Sequence, residues 1–191
     1  MKSLGGRVAV ITGVARGIGL DYALRIASLS AAVAVADHNL ESALGHEVEQ
    51  PRPENEDLKK TMRQFGTDVL LHERDSSDHE QTPTFAEHVK DAFRVDILVC
   101  NAGGDGDLDG AQPSELGAAN IAATFARNLY STIYTVTAFT PMMKIRGSGK
   151  IITIGSYAAT TTLPGARASE YAAAKRASTI TRDASAEVAA C

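Results

Sequence analysis

Tyr171 and Lys175 stand four residues apart in Tyr171-Ala172-Ala173-Ala174-Lys175. On a helix they share one face, one turn from each other. A free phenol keeps its proton to about pH 10, too high for acid–base work at neutral pH. An ammonium one turn away stabilises the phenolate and fits Tyr171 for general acid–base chemistry. Ser156, just beyond the run Ile152-Thr153-Ile154-Gly155, offers a hydroxyl to a substrate oxygen on which charge develops. A second constellation opens the chain, where Thr12-Gly13-Val14-Ala15-Arg16-Gly17-Ile18-Gly19 follows the apolar run Val8–Ile11 directly. A turn that tight needs backbone angles that a Cβ disfavours, and a phosphate touches backbone only where no side chain intervenes. The helix that starts there aims free N–H groups and the positive end of its dipole into the turn, which suits a pyrophosphate. Asp37 lies 18 residues after Gly19. A carboxylate there accepts from the 2′- and 3′-hydroxyls of a ribose and repels a 2′-phosphate. Arg16 is the nearby group that favours a 2′-phosphate. The balance predicts NAD in preference to NADP.

Those residues must be held by alternating strands and helices. Strands are predicted at Arg7–Ile11, Ala32–Ala36, Thr67–Leu71, Asp96–Cys100 and Lys150–Ile154. They read as continuous apolar runs, the pattern of strands buried on both faces of a parallel sheet. Helices fall between them, over residues 18–30, 39–50, 55–65, 80–93, 118–144 and 168–189. Gly66 is placed to end the third of these, and Gln50–Asn55 reads as a proline-broken surface joint. Right-handed βαβ crossovers then give an α/β, doubly wound, Rossmann-type sheet of order 3-2-1-4-5 with helices on both faces. Its ligand belongs at the carboxyl ends of the strands, where the order reverses.

At 191 residues the chain is expected to form a single domain, 1–191. A net charge of −4 gives no electrostatic footprint for nucleic acid. No apolar run approaches the ~20 residues of a membrane helix, and the first residues lack the apolar stretch of a signal peptide. Cys100 and Cys191 cannot form a disulfide framework, so a cytoplasmic setting is expected. The five histidines show no ligand spacing with the cysteines, and no metal is expected. Asp105-Gly106-Asp107-Leu108-Asp109-Gly110 imitates the first half of a calcium loop, but the twelfth position is Leu116, and the run reads better as an acidic surface loop.

The order of these motifs resembles the short-chain dehydrogenase/reductase family over nearly the whole chain. Thr12–Gly19 matches its TGxxxGIG turn, and Tyr171–Lys175 its YxxxK motif. Cys100-Asn101-Ala102-Gly103 is similar to its NNAG segment, with cysteine for the first asparagine. Asp75 and Ser76 resemble its adenine-contacting position, Asn128 its helix asparagine and Ser156 its catalytic serine. The resemblance implies hydride transfer between a nicotinamide cofactor and a secondary alcohol or ketone. It further implies that Lys175 holds the nicotinamide ribose as well as serving Tyr171, and that Asn128 keeps a water for proton relay. The cofactor set is then Gly13, Arg16, Gly17, Ile18, Gly19, Asp37, Asp75, Ser76, Asn101, Ala102 and Gly103, with Tyr171 and Lys175. A homodimer or homotetramer is implied, paired through the helices around Ala118–Lys144 and Ala168–Ala189, whose Ala172, Ala173, Ala174 and Ala177 allow close approach.

Two departures stand out. Ser156 and Tyr171 are fifteen positions apart, slightly more than the family spacing, which places a small insertion at Thr160–Thr162 or Ala166–Arg167. Familiar members also continue into a sixth strand, a Pro-Gly turn, a substrate lid and a seventh strand, whereas this sequence stops at Cys191. Without the last strands, Lys150–Ile154 is expected to form an open apolar edge. The expected chain is less stable than a full-length relative, prone to association, and weakly active or inactive on ketones. The alternative function is a non-catalytic nucleotide-binding or dimerisation module.

Overall fold

A computed structural model describes residues 4–40, 55–104, 112–161 and 168–188. Among the described residues five strands alternate with six α-helices. They are β1 (Val8–Thr12), α1 (Gly17–Ser28), β2 (Ala32–Asp37), α2 (Asn55–Arg63), β3 (Val69–Glu73), α3 (Gln81–Ala92), β4 (Ile97–Cys100), α4 (Ala118–Phe125), α5 (Ser131–Arg146), β5 (Lys150–Thr153) and α6 (Ser169–Val188). The sheet has the order β3-β2-β1-β4-β5, and every pairing is parallel. The expected α/β Rossmann-type topology is therefore present.

Apolar residues on the two faces of the strands feed two cores. Ile11, Val33, Val35 and Val99 pack with Leu20 and Ala23 of α1 and Leu58 and Met62 of α2. On the other face Val10, Leu98 and Cys100 pack with Phe85 and Val89 of α3 and Phe139 and Met143 of α5. Phe85 and Phe139 are fully buried and meet edge to face, with centroids 5.6 Å apart. Burying each contributes roughly 1.5–3 kcal/mol. Asp96 ties the amino ends of β1 and β4 together. It accepts from Arg7 at 2.8 Å and from the Val8 N–H at 3.0 Å, and pairs with Arg146 at 3.1 Å. Burial opposes its ionisation, but those hydrogen bonds and the arginine charges outweigh it and hold the carboxyl below the ordinary range.

Several predicted bounds move, each for a tertiary reason. β3 lies two residues later than its apolar run, because pairing with β2 from Val33↔Val69 to Asp37↔Glu73 carries the ladder past Leu71. The predicted helix over 118–144 is interrupted by a π-helical turn at Ala126–Tyr130, and its second part runs on to Arg146, where Gly147 (φ 67°) closes it. β5 is the open edge expected of Lys150–Ile154, and its faces are less buried than its apolar run predicts. In the described sheet its residues alternate between exposed and half-buried, and Ile152 is 45% exposed. Gly66 (φ 73°) ends the turn after α2, donating to Arg63 O at 2.9 Å. Residues 41–50 of the predicted helix over 39–50 fall outside the described residues, as do residues 50–54 of the proline joint, the acidic loop 105–110, residues 162–167 and Cys191.

Candidate active site

The carboxyl ends of β1 and β4 diverge because β2 follows β1 on one side and β4 joins it on the other. Such a switch point leaves a crevice for a ligand. A cavity of about 570 Å³ occupies it. Its walls include Gly13, Arg16, Gly17, Ile18 and Gly19 from the first turn, Asp37 from β2, and Asp75 and Ser76 from the segment after β3. Asn101, Ala102 and Gly103 contribute from the end of β4, and Ser156, Tyr171 and Lys175 from the far side. Every predicted site residue except Asn128 thus faces one space.

The floor is clamped by short polar contacts. Thr12 Oγ1 accepts from the N–H groups of Asn101 and Ala102, both at 3.2 Å, and Asn101 Nδ2 donates to Gly13 O at 2.7 Å. The turn and the β4 end are pressed so close that glycine is obligatory. A Cβ on Gly13, whose φ is +72°, would sit 2.7 Å from Ala102 Cα, and one on Gly19 would strike Gly13 O and Asn101 Nδ2. Arg16, at the N-cap of α1, has an extended backbone and makes no side-chain cap, so the first N–H groups of the helix face the turn uncapped by it. A Cβ-free cradle, an uncapped helix start and a cavity at the switch point fit the pyrophosphate of a dinucleotide.

Asp37 does more than the sequence predicts. It is 7% exposed; Oδ2 accepts from the buried Ala15 N–H at 2.9 Å, and Oδ1 from the Asn39 N–H at 3.1 Å, with His38 Nδ1 also at 3.1 Å. The carboxylate therefore shapes the glycine turn from behind while one edge lines the cavity. Beyond β3, Asp75 Oδ1 accepts from the N–H and the hydroxyl of Ser77, at 2.8 and 2.7 Å.

On the far side, Lys175 is 4% exposed and donates from Nζ to Ile154 O at 3.0 Å, with Nζ 5.8 Å from the centre of the Tyr171 ring. Burial lowers its pKa. Ser156 Oγ accepts from the Ala158 N–H at 3.2 Å, which orients the hydroxyl at the start of a short helical turn. Helix α6 thus places Tyr171 and Lys175 toward the strand end that carries Ser156.

Asn128 is the one predicted site residue that does not line the cavity. It is fully buried, behind the cavity wall. Its amide exchanges two hydrogen bonds with Gly104, Oδ1 accepting from the N–H at 2.9 Å and Nδ2 donating to the carbonyl at 2.7 Å. Nδ2 also donates to Thr124 O at 3.0 Å, across the stretch where the π turn shifts the backbone ladder. A Cβ on Gly103 would lie 2.7 Å from Asn128 Oδ1 and 3.1 Å from Lys175 Nζ. In this arrangement Asn128 positions the Gly103–Gly104 wall. Cys100, first in its segment, packs into the core, and burial pushes its thiol up to about 12, so it stays neutral.

The cavity also takes residues that sequence reasoning missed, among them His38, Ser77, Gly104, Arg127 and Ser131. Arg127 and Ser131 are four apart on the helical stretch that bears Asn128, a spacing legible in the sequence once the asparagine is singled out. Arg74 had no such signal. It is 3% exposed, its guanidinium lies 4.9 Å over the Phe85 ring, and burial pulls its pKa down to about 10 against the opposing charges of Asp75 and Asp78. It remains a cation at neutral pH.

The family model for short chain dehydrogenases matches residues 7–190. The chain belongs to that family. It is 35% identical over 176 residues to cyclohexanol dehydrogenase of Rhodococcus sp. (strain TK6), covering 91% of this chain and 65% of that protein. The short-chain dehydrogenase thus spans just under two thirds of that relative's length. A metagenomic short-chain oxidoreductase in complex with NADP is 30% identical, with a TM-score of 0.82 over 97% of this chain and 77% of that one. NAD⁺-bound xylitol dehydrogenase shares the fold at 24% identity, with a TM-score of 0.82 over 97% and 66% of the two chains. Of these two structures one holds NADP and the other NAD⁺. Among the described residues no helix is long and apolar enough to cross a membrane.

Proposed function

We propose that this short-chain dehydrogenase binds NAD(H) in its cavity and interconverts a secondary alcohol and a ketone. The supporting observation is that Tyr171, Lys175 and Ser156 face the same space as the glycine turn and Asp37. The nicotinamide supplies or accepts the hydride. Tyr171 gives a proton to the nascent alkoxide oxygen in reduction and takes it from the alcohol in oxidation, so protons and hydride balance in both directions. Ser156 donates a hydrogen bond to that same oxygen, stabilising the charge as it develops. Lys175, desolvated and anchored on Ile154 O, keeps an ammonium beside the phenol and serves the ribose. Asp37 favours NAD over NADP by accepting from free ribose hydroxyls. Asn128 acts by holding the Gly103–Gly104 wall in place.

We further propose a homodimer or homotetramer through α4, α5 and α6. Ile121 of α4, Tyr130 of the π turn and Ala173 of α6 are exposed, and Ala172 and Ala177 are half-buried. Ala174, expected on the same outer face, is instead fully buried within the chain itself. The deciding experiment is NAD(H) titration by calorimetry followed by assays on secondary alcohols and ketones, cyclohexanol included. Binding with turnover that Tyr171→Phe abolishes supports the enzyme. Binding without turnover in the wild-type chain assigns a nucleotide-binding module instead.

A further inference from the structure

Sixteen positions separate His72 of β3 from His88 of α3, yet their rings meet, with His72 Nε2 3.2 Å from His88 Nδ1. The rings are tilted by 41° with centres 5.3 Å apart, and His72 also rests on the Phe85 ring, again at 5.3 Å. His72 is half-buried and held by that packing, while His88 is exposed on α3. Burial, the His88 ring and the Arg74 cation together hold the pKa of His72 below its ordinary value, against the backbone of Glu73. Its ring is therefore neutral at neutral pH, the state in which an imidazole ligates a metal. Two nitrogens 3.2 Å apart, each about 2.0–2.1 Å from one ion, subtend an angle of about 100–105° at it. That is close to the tetrahedral angle that zinc adopts. A small turn of the exposed His88 ring aims both lone pairs at one point. Among the described residues no group of three His, Cys, Asp or Glu could hold a metal, so water fills the remaining positions around the ion. Ligation through Nε2 leaves the His72 proton on Nδ1, which is buried and has no hydrogen-bond partner among the described residues. That cost makes the site weaker than a closed four-ligand centre.

We propose that His72 and His88 form a two-histidine site for a transition-metal ion of the zinc type, which clips the edge strand β3 to α3 across the segment that carries Asp75 and Ser76. Imidazole suits such ions, and neither ring is part of the dinucleotide cavity, so the site is independent of the function proposed above.

The test is calorimetric titration of the whole chain with zinc chloride at neutral pH, with a thermal melt at each zinc concentration. Zinc a hundredfold above its Kd should raise Tm by about 5–10 °C. His72→Gln and His88→Gln each remove one ligand, and each should weaken zinc by at least about tenfold and cancel the rise in Tm. His88 is exposed, so His88→Gln carries the test should His72→Gln fail to fold. Cobalt supplies a spectroscopic check, since the visible absorption of a tetrahedral ion should appear with the wild type and be lost in either variant. Zinc held equally well by the wild type and the variants belongs to other ligands, such as Cys191 or the remaining histidines, and overturns the proposal. No saturable binding by the wild type at millimolar zinc overturns it too, and leaves the dinucleotide reading untouched.

Discussion

Asp37→Asn separates the clamp on the glycine turn from the proposed choice of cofactor. Asparagine has a single side-chain oxygen, so it can serve one of the two backbone N–H groups that Asp37 now holds. The buried Ala15 N–H takes it, while the more exposed Asn39 N–H turns to water. The net loss is about 1 kcal/mol, or roughly 2–4 °C in Tm for a domain of this size. The effect on cofactor choice is larger. Two unit charges ~6 Å apart at an effective dielectric constant of ~20 repel by about 3 kcal/mol. Removing the carboxylate should therefore tighten NADP(H) by up to about 100-fold, while NAD(H) loses about tenfold with its charged ribose acceptor. Calorimetric titration of both cofactors, with a thermal melt of each protein, reads the two effects separately. A lowered Tm with an unchanged NADP-to-NAD ratio would reduce Asp37 to a clamp on the glycine turn and refute its role in selection. An altered ratio with an unchanged Tm would refute the clamp.

Tyr171→Phe should abolish turnover with cofactor affinity almost unchanged, whereas Lys175→Ala should damage both; steady-state kinetics alongside titration distinguish them. Asn128→Ala strips three hydrogen bonds from buried and part-buried backbone, and should cost about 3 kcal/mol, roughly 6–12 °C in Tm. The carboxyl of Asp96 is held below its ordinary range, so its stabilisation is complete above that range and fades as pH falls through the folded-state value. Urea melts of wild type and Asp96→Asn should differ fully at pH 7 and converge below about pH 4. The apolar β5 edge, with Ile152 45% exposed, should promote association beyond a defined oligomer, and Ile152→Lys should lower the light-scattering mass at equal concentration.

The sequence by itself determined the fold class and the strand order. The apolar runs that become β1, β2 and β4 are short, continuous and separated by helical periods, and a right-handed parallel sheet is the arrangement that buries them on both faces. It also singled out residues that line the cavity, because the glycine turn and the Tyr171–Lys175 spacing are local: the close approach of backbone and a shared helix face follow from residue type and interval. What depends on distant partners was not legible. β3 moved two residues because β2 sets its ladder. The helix expected over 118–144 carries a π turn that its periodicity does not announce, and that turn brings Asn128 to Gly104, out of the cavity. Asp37 gained a second task from the Ala15 N–H, a group 22 positions away in sequence. Arg74 offered no pattern at all, since a charge at the end of a strand normally turns to water. The packing of Phe85 against it, the hydroxyl of Ser76 within reach and the charges of Asp75 and Asp78 keep that cation in the interior, offsetting the desolvation of its guanidinium.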